Sequence, residues 1–517
     1  IRVGRARASA LCSAKNKDKM RDMEKCRDAG VLCHISSLPG KYGIGSLGKE
    51  AYRFAKTLRR CGVTYWQVLP LVQTGYGDSP YSSVACTSGN PYFIDLELLA
   101  KEGLLTKEEL AEARHEPGAV AYGSLYNERF VTLRRAFARF NFDGADFRAY
   151  VRSGASEDYA LFMTAKRVYG ENFLQWEEPL KFRDPDALEK LRTDFHEEYL
   201  FWNFLQYEFA RQWKAFKAYC NSLGIRLIGD IPLYVDADSA DVWAHPELFK
   251  LDDDLRPTKV AGVPPDYFSE TGQLWGNPIY DWSAHEKEGF AWWTNRLNAA
   301  LATYDVVRID HFRGIDRYYE IPAFAETAVR GEWKQGPGEK LFAKVEGRGR
   351  IIAEDLGIMD EGVKALREKL GFPGMKVLLF AFDGNEDNEF LPKNIGKECV
   401  CYTGTHDNDT VAGYVSTLST EEFLLFRSRV AKALDEEGVY IRLGDKGEGF
   451  SEAFCRLALA SAARLAVLPV QDILGLDNEA RMNYPGTNEG NWKFRMERLP
   501  GGRPMRRLKR WIKLYRR

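Results

Sequence analysis

Residues 304–312 read YDVVRIDHF. An apolar, β-branched run that ends in charge is the pattern of a strand buried on both faces whose polar end emerges at a rim. The same pattern returns in VLCHISSLP from Val31, TYWQVLPL from Thr64, IRLIGDIPLYV from Ile225, RIIAEDLG from Arg350, KVLLFAF from Lys376, CVCYTGTHD from Cys399 and LAVLPVQDI from Leu465. Together these make eight runs, the number that closes a parallel barrel. Helical spacing over residues 50–60, 361–370 and 420–435 fills intervals between them. The predicted fold class is therefore α/β, a (β/α)8 TIM barrel. The seventh run follows the sixth so closely that the helix between them must be short or missing.

Two intervals are too long for a plain barrel. The first insertion, about 73–224, follows strand 2 and reads as mostly helical: Thr106 and Glu109 have capping-box spacing, and residues 186–219 carry apolar side chains at helical intervals. The second, about 237–303, follows strand 3 and is rich in Pro, Gly and aromatics, which predicts a loop region walling or covering the barrel mouth. The expected organisation is a single catalytic domain over 29–517 with these two insertions and no C-terminal β-domain. In the terminal RRLKRWIKLYRR, Leu508, Trp511, Ile512 and Tyr515 share one helical face, expected to dock as the last barrel helix rather than to bind an anionic surface. Residues 1–28 read as a leader or transit-peptide remnant. Arg2, Arg5, Arg7, Lys15, Lys17 and Lys19 sit among Ala and Ser, the first acid is Asp18, and no secretory apolar core is present. An organelle is the expected destination.

Composition narrows the function. The 517 residues are 45% apolar and 28% charged, enough to bury a large core. With 73 Lys plus Arg against 74 Asp plus Glu, the formal net charge of -1 supplies no overall field for nucleic acid or an anionic membrane. No apolar run is long enough to span a bilayer. Nine cysteines with no C-x-x-C pair read as reduced thiols. Twelve Trp and 25 Tyr suit a protein that stacks rings on flat ligands, sugars among them.

The chemistry lies at the strand ends, which converge on one mouth in a TIM barrel. Asp230, Asp310, Glu354 and Asp407 occupy such positions on four different strands. Unpaired buried carboxylates are costly, so four converging acids call for a function. Arg308 stands two residues before Asp310, on the same face of an alternating strand, where a guanidinium favours the ionised carboxylate a nucleophile needs. Glu354 follows Ile351, Ile352 and Ala353, an apolar setting that raises a carboxyl pKa and holds a proton for a leaving group. Two carboxylates separated in this way, with further acids to oppose developing positive charge, are what glycosidic bond cleavage requires. His311 and His406 beside these acids suit hydrogen bonds to sugar hydroxyls. A metal site remains a lesser reading, since no H-E-x-x-H or comparable ligand spacing supports it. Gly43, Gly45 and Gly48 spell G-x-G-x-x-G, but Pro39 and Gly40 break the strand-to-helix turn and no acid ends the second strand, so a dinucleotide site is not supported.

RIDHFRG, IAEDLG, GTHDND, GDIPLYV, GVPPDYFSETGQLWGNPIYDW and RMNYPGTNEGNW together resemble the 4-α-glucanotransferases, the amylomaltase or disproportionating-enzyme family (glycoside hydrolase family 77), plastid type, from about Gly30 onward. The resemblance implies a hexosyltransferase that moves segments of α-1,4-glucans by retaining double displacement, in starch and maltooligosaccharide metabolism. It implies Asp310 as nucleophile, Glu354 as general acid/base and Asp407 as transition-state stabiliser. Asp230, Arg308, His311 and His406 match its sugar-binding positions, and Tyr81, Tyr267, Phe268, Gln273, Trp275 and Asn277 match loop residues lining the subsites. It implies no metal and no organic cofactor. The partners are glucan donors, with glucose or maltooligosaccharide acceptors, and neither nucleic acid nor membrane. The expected location is the chloroplast stroma, with the cytoplasm as alternative. Thr87 and Phe494 depart from the family pattern, where aromatic residue and tryptophan are common. An α-amylase-type hydrolase and a non-catalytic glucan-binding barrel are the rival readings.

Overall fold

The eight runs fold as eight parallel strands of one sheet. The computed structural model describes residues 27–517 apart from 76, 171, 266–268, 358–359 and 488, so most of the leader and its basic residues lie outside the described residues. The twelve strands in chain order are β1 (Asp28–Leu32), β2 (Tyr65–Gln67), β3 (Arg226–Ile231), β4 (Lys259–Val263), β5 (Gln273–Pro278), β6 (Val306–Ile309), β7 (Arg317–Pro322), β8 (Glu332–Gln335), β9 (Ile351–Ala353), β10 (Gly374–Val377), β11 (Cys399–Tyr402) and β12 (Leu465–Pro469). The large sheet runs β10-β11-β12-β1-β2-β3-β6-β9, every pair parallel. Its two ends meet across one backbone bond, Ala353 N–H to the Pro373 carbonyl at 3.0 Å, which brings the cylinder close to closure. This is the TIM barrel predicted from the runs.

Strand boundaries shift where local chemistry overrides the pattern. β1 runs from Asp28 to Leu32, beginning earlier than the VLCHISSLP run and stopping short of its end because Ile35–Ser37 already form a 3-10 turn. β10 ends at Val377, and Leu378–Phe380 turn away as another. Between β10 and β11 only 3-10 turns occur among the described residues, as the short interval requires. Helix Lys49–Cys61 lays Ala51, Phe54, Ala55, Leu58 and Cys61 on the barrel, the i, i+3, i+4 stripe of an amphipathic helix, and ends at Gly62 in the left-handed region (φ 92°). Gly229 on β3 has no room for a side chain, since a Cβ would stand 2.2 Å from the Tyr304 ring.

Residues 96–222 are a series of helices. The Thr106–Glu109 capping box forms with both of its hydrogen bonds. The helical spacing over 186–219 resolves into two helices, Pro185–Asp194 and His196–Ser222, separated at Phe195. The second interval differs from the predicted loop region. It contributes β4 and β5, which join β7 and β8 in an antiparallel sheet ordered β5-β4-β7-β8, and it adds helices Trp282–Lys287 and Ala291–Thr303. After β12 the described residues contain helices and 3-10 turns but no strand. In the last helix, Gly502–Leu514, Met505, Leu508, Trp511 and Ile512 are buried, and Ile512 packs over Gly62. Its apolar face is thus taken up by docking, while Tyr515 accepts a 3.0 Å bond from Arg456.

Candidate active site

β3, β6 and β9 are neighbours in the sheet, and their register sets Asp230 beside Arg308 and Arg308 beside Ile352. Parallel partners point to the same side of a sheet. Asp230 and Arg308 therefore meet inside the barrel, where the guanidinium Nη1 lies 2.7 and 2.8 Å from the two Asp230 oxygens. Nη2 reaches Asp310 Oδ1 at 2.9 Å, beyond the end of β6. One buried arginine thus grips two carboxylates, and the third face of its head is closed by Met375 Sδ, 3.3 Å from Nε. Burial alone would lower its pKa, but Asp230 and Asp310 outweigh it and keep the charge on.

Glu354 follows β9 immediately. The backbone N–H of His311 donates to its Oε2 at 2.7 Å and that of Leu356 to its Oε1 at 2.8 Å. The first donor belongs to the residue after Asp310, which fixes the two carboxyl groups on the same stretch of rim. Burial, and then the Asp310 charge, push the Glu354 pKa up to about 7, with Arg308 opposing. The apolar setting read in the sequence therefore has the predicted effect.

The loop after β11 brings in Asp407 and His406. Asp407 Oδ1 accepts a 2.7 Å bond from Asn483 Nδ2, and Oδ2 lies 3.2 Å from His406 Nε2. Burial raises the Asp407 pKa, but His406, Asn483 and Arg308 prevail and bring it down to about 2. Reciprocally, burial lowers His406 and Asp407 more than restores it. Tyr81 completes this wall: its hydroxyl donates to Asp230 at 2.7 Å and its ring stacks on His406, centroids 5.0 Å apart. The Tyr81 hydroxyl lies within electrostatic reach of Asp230, Arg308, Asp310 and Asp407 together.

His311, the residue after Asp310, has a left-handed conformation (φ 50°), uncommon for a residue with a side chain and a mark of local strain. Burial lowers its pKa to about 4, and its Nε2 is buried without a hydrogen-bond partner among the described residues. Trp275 on β5 meets its ring edge-on at 4.8 Å, so the small antiparallel sheet reaches over the mouth. Gln273 accepts from the Trp275 indole at 3.1 Å, and Asn277 Nδ2 is spent on the Val235 carbonyl at 2.8 Å. Asn277 therefore ties β5 to the loop after β3. Tyr267 and Phe268 lie outside the described residues. Among the described residues no group of three or more His, Cys, Asp or Glu is arranged to hold a metal.

Several residues here carried no individual prediction. Arg481 donates to the Asp407 carbonyl at 2.7 Å and to Asp409, Asn483 holds Asp407, and Trp492 leans on both Tyr81 and His406 at 5.8 Å. All three lie in or beside RMNYPGTNEGNW, whose residue types were the available signal. His34 in the first run is buried, accepts the Leu69 N–H at 3.2 Å and faces His406.

A parallel barrel whose mouth gathers a glutamate with a raised pKa, aspartates held by an arginine, a histidine and an asparagine, and an aromatic wall has the parts of a glycosidic-bond-processing enzyme. The chain belongs to the 4-alpha-glucanotransferase family, whose description it matches over residues 33–500. It is 48% identical to the 4-alpha-glucanotransferase of Thermus thermophilus over 492 residues, covering 93% of this chain and 96% of that one. It is 44% identical to the chloroplastic/amyloplastic 4-alpha-glucanotransferase DPE1 of Oryza sativa subsp. japonica, covering 91% of this chain and 80% of that one. The solved amylomaltase from Streptococcus agalactiae in complex with acarbose is 36% identical, with TM-score 0.88 over 95% of this chain and 99% of that one. The activity is accordingly 4-alpha-glucanotransferase activity, hexosyl transfer on α-1,4-glucans.

Proposed function

We propose that the transfer proceeds by retaining double displacement with Asp310, Glu354 and Asp407 in the roles the resemblance implies. Asp310 attacks the anomeric carbon, the bonding pair of the glycosidic link leaves with O4, and Glu354 gives that oxygen its proton. The acceptor 4-hydroxyl then returns a proton to Glu354 and attacks the same carbon, and the ester electrons return to Asp310. Asp407, ionised even in acid, opposes the positive charge of both oxocarbenium-like transition states. The observation carrying this reading is the paired setting of the two reacting carboxyls: Asp310 held by Arg308 at 2.9 Å, and Glu354 poised at about 7 beside it. Asp230, Arg308, His311, His406 and Tyr81 hold the sugar, Tyr267, Phe268, Gln273, Trp275 and Asn277 serve the donor and acceptor subsites, and β5, which brings Trp275 against His311, helps keep water out until glucose or another maltooligosaccharide arrives.

The test is covalent trapping. In Glu354→Gln, an α-glucosyl fluoride donor forms the ester but cannot discharge it readily. Intact mass and peptide mapping should find one hexosyl adduct on the peptide carrying Asp310. An adduct elsewhere overturns the assignment. With maltotriose the native enzyme should give glucose and a ladder of longer glucans, whereas maltose and glucose alone would indicate hydrolysis.

The same reading places residues 29–517 in one catalytic domain and the basic leader in plastid targeting. The acid-poor composition of residues 1–17 and the chloroplastic/amyloplastic names of the rice and Arabidopsis thaliana relatives support a plastid. Import of a leader–reporter fusion into isolated chloroplasts tests it, and retention outside them favours the cytoplasm.

A further inference from the structure

The β11 loop carries His406 and Asp407 on a segment with no regular structure between Tyr402 and helix Val411–Thr417. Such a segment needs outside fixing if it is to hold a carboxylate to the fraction of an ångström that electrostatic catalysis demands. The fixing comes from the neighbouring strand. Asp472, on the short helix Val470–Leu474 directly after β12, is 3% exposed. Its Oδ2 accepts the Thr403 hydroxyl, and its Oδ1 accepts the Val411 backbone N–H at 2.8 Å. Thr403 opens the loop and Val411 closes it. One buried carboxylate therefore clamps both ends of the segment that presents Asp407.

We propose that Asp472 is a positioning residue for the transfer reaction: it clips the loop Thr403–Val411 into a closed ring so that Asp407 and His406 keep their place against the sugar. This rests on the role proposed above for Asp407. Most other contacts of the loop fix its middle, with Asn408 accepting from Thr405 at 2.9 Å and Arg481 holding the Asp407 carbonyl. At the ends Asp472 is joined by the Leu379 N–H, which donates to the Thr403 carbonyl at 3.2 Å, and by Asn478, which accepts the Thr410 N–H at 3.2 Å, but of the described residues only Asp472 bonds both ends at once. Among the described residues the carboxylate has no cationic partner of its own. A cavity of about 20 Å³ beside it is lined also by His34, His406, Asp409 and Arg481, and Cys455 faces it from helix Phe450–Ala460. Burial raises its pKa to about 6. Its work is therefore that of a hydrogen-bond acceptor rather than of one half of an ion pair. Asn in its place can still accept from Val411 and donate to the Thr403 oxygen, whereas Ala can do neither.

The experiment is a double-mutant cycle read with α-glucosyl fluoride, which needs little acid assistance, alongside maltotriose. Asp472→Ala should lower kcat about thirtyfold with KM within threefold, and Asp472→Asn should restore most of it. Thr403→Val, which removes one of the two bonds with little change of shape, should lower kcat about fivefold. In an Asp407→Asn background Asp472→Ala should cost less than threefold further, because the group it positions is gone. If Asp407→Asn alone leaves the rate unchanged, the role of Asp407 fails. If it slows the enzyme but Asp472→Ala brings the same thirtyfold loss in both backgrounds, the positioning role alone is overturned. Folded Asp472→Ala and Thr403→Val that both keep full kcat overturn it equally.

Discussion

Tyr81 lies face to face with His406, ring planes 10° apart, while its hydroxyl reaches across to Asp230 at 2.7 Å. The side chain thus joins the β11 loop to β3. Tyr81→Phe keeps the stack and loses one hydrogen bond, so kcat/KM for maltotriose should fall roughly fivefold, ~1 kcal/mol. Tyr81→Ala also removes the ring wall and should fall at least ten times further. Equal losses in the two variants would show that the ring contributes nothing.

Asp310→Asn should lower the transfer rate by about a thousandfold or more, ~4 kcal/mol or above, because an amide cannot form the ester. A loss under tenfold means that another residue is the nucleophile.

As the proposed general acid, Glu354 must carry a proton when the donor binds. With its pKa at about 7, kcat/KM should fall about tenfold per pH unit above neutrality. Glu354→Gln should abolish this alkaline limb, and its deficit should be far larger with maltotriose than with α-glucosyl fluoride. Linkage fixes the stability sign. The folded value stands above the ordinary 4.5, so the protein binds this proton more tightly than the unfolded chain does. The stabilisation is full below about 4.5 and is lost as pH rises through 7. Thermal melts should show Glu354→Gln gaining on the native protein at pH 8 but not at pH 4.

Arg308→Met should destabilise by about 3 kcal/mol or more, since it strands Asp230 in the barrel without its cation. Adding Asp230→Asn should recover part of the lost melting temperature. If Arg308→Met melts like the native protein, the buried pair is not what holds the barrel interior together.

The eight barrel strands and the four acids were legible because a doubly buried strand must be apolar until it reaches the rim, and polar residues such as those in RIDHF and IAEDLG stand out against that background. The antiparallel sheet was not. β8 is largely exposed, β5 carries exposed Leu274 and Trp275, and β4 contains Gly262, whose hydrogen faces the Gln273 carbonyl where a Cβ would stand at 2.2 Å. Such strands have neither an apolar run nor clean alternation, and pairing between segments so far apart in the chain leaves no local trace. The clamp by Asp472 escaped for a related reason. Asp472 sits in LAVLPVQDI like any acid at a strand end, and only the neighbour order of β11 and β12 shows that it faces a loop instead of a substrate.

The barrel wall is stitched by strand ladders everywhere except between β9 and β10, where the one backbone bond from Ala353 to Pro373 is joined by the Met375 N–H donating to the Asp355 side chain at 2.7 Å. Glu354, the proposed proton donor, is the next residue along. Thermal breathing of the cylinder will concentrate at this seam, so on warming the enzyme should lose turnover at a temperature where its far-ultraviolet dichroism is still native, and amides around residues 351–353 should exchange with deuterium before those of β12.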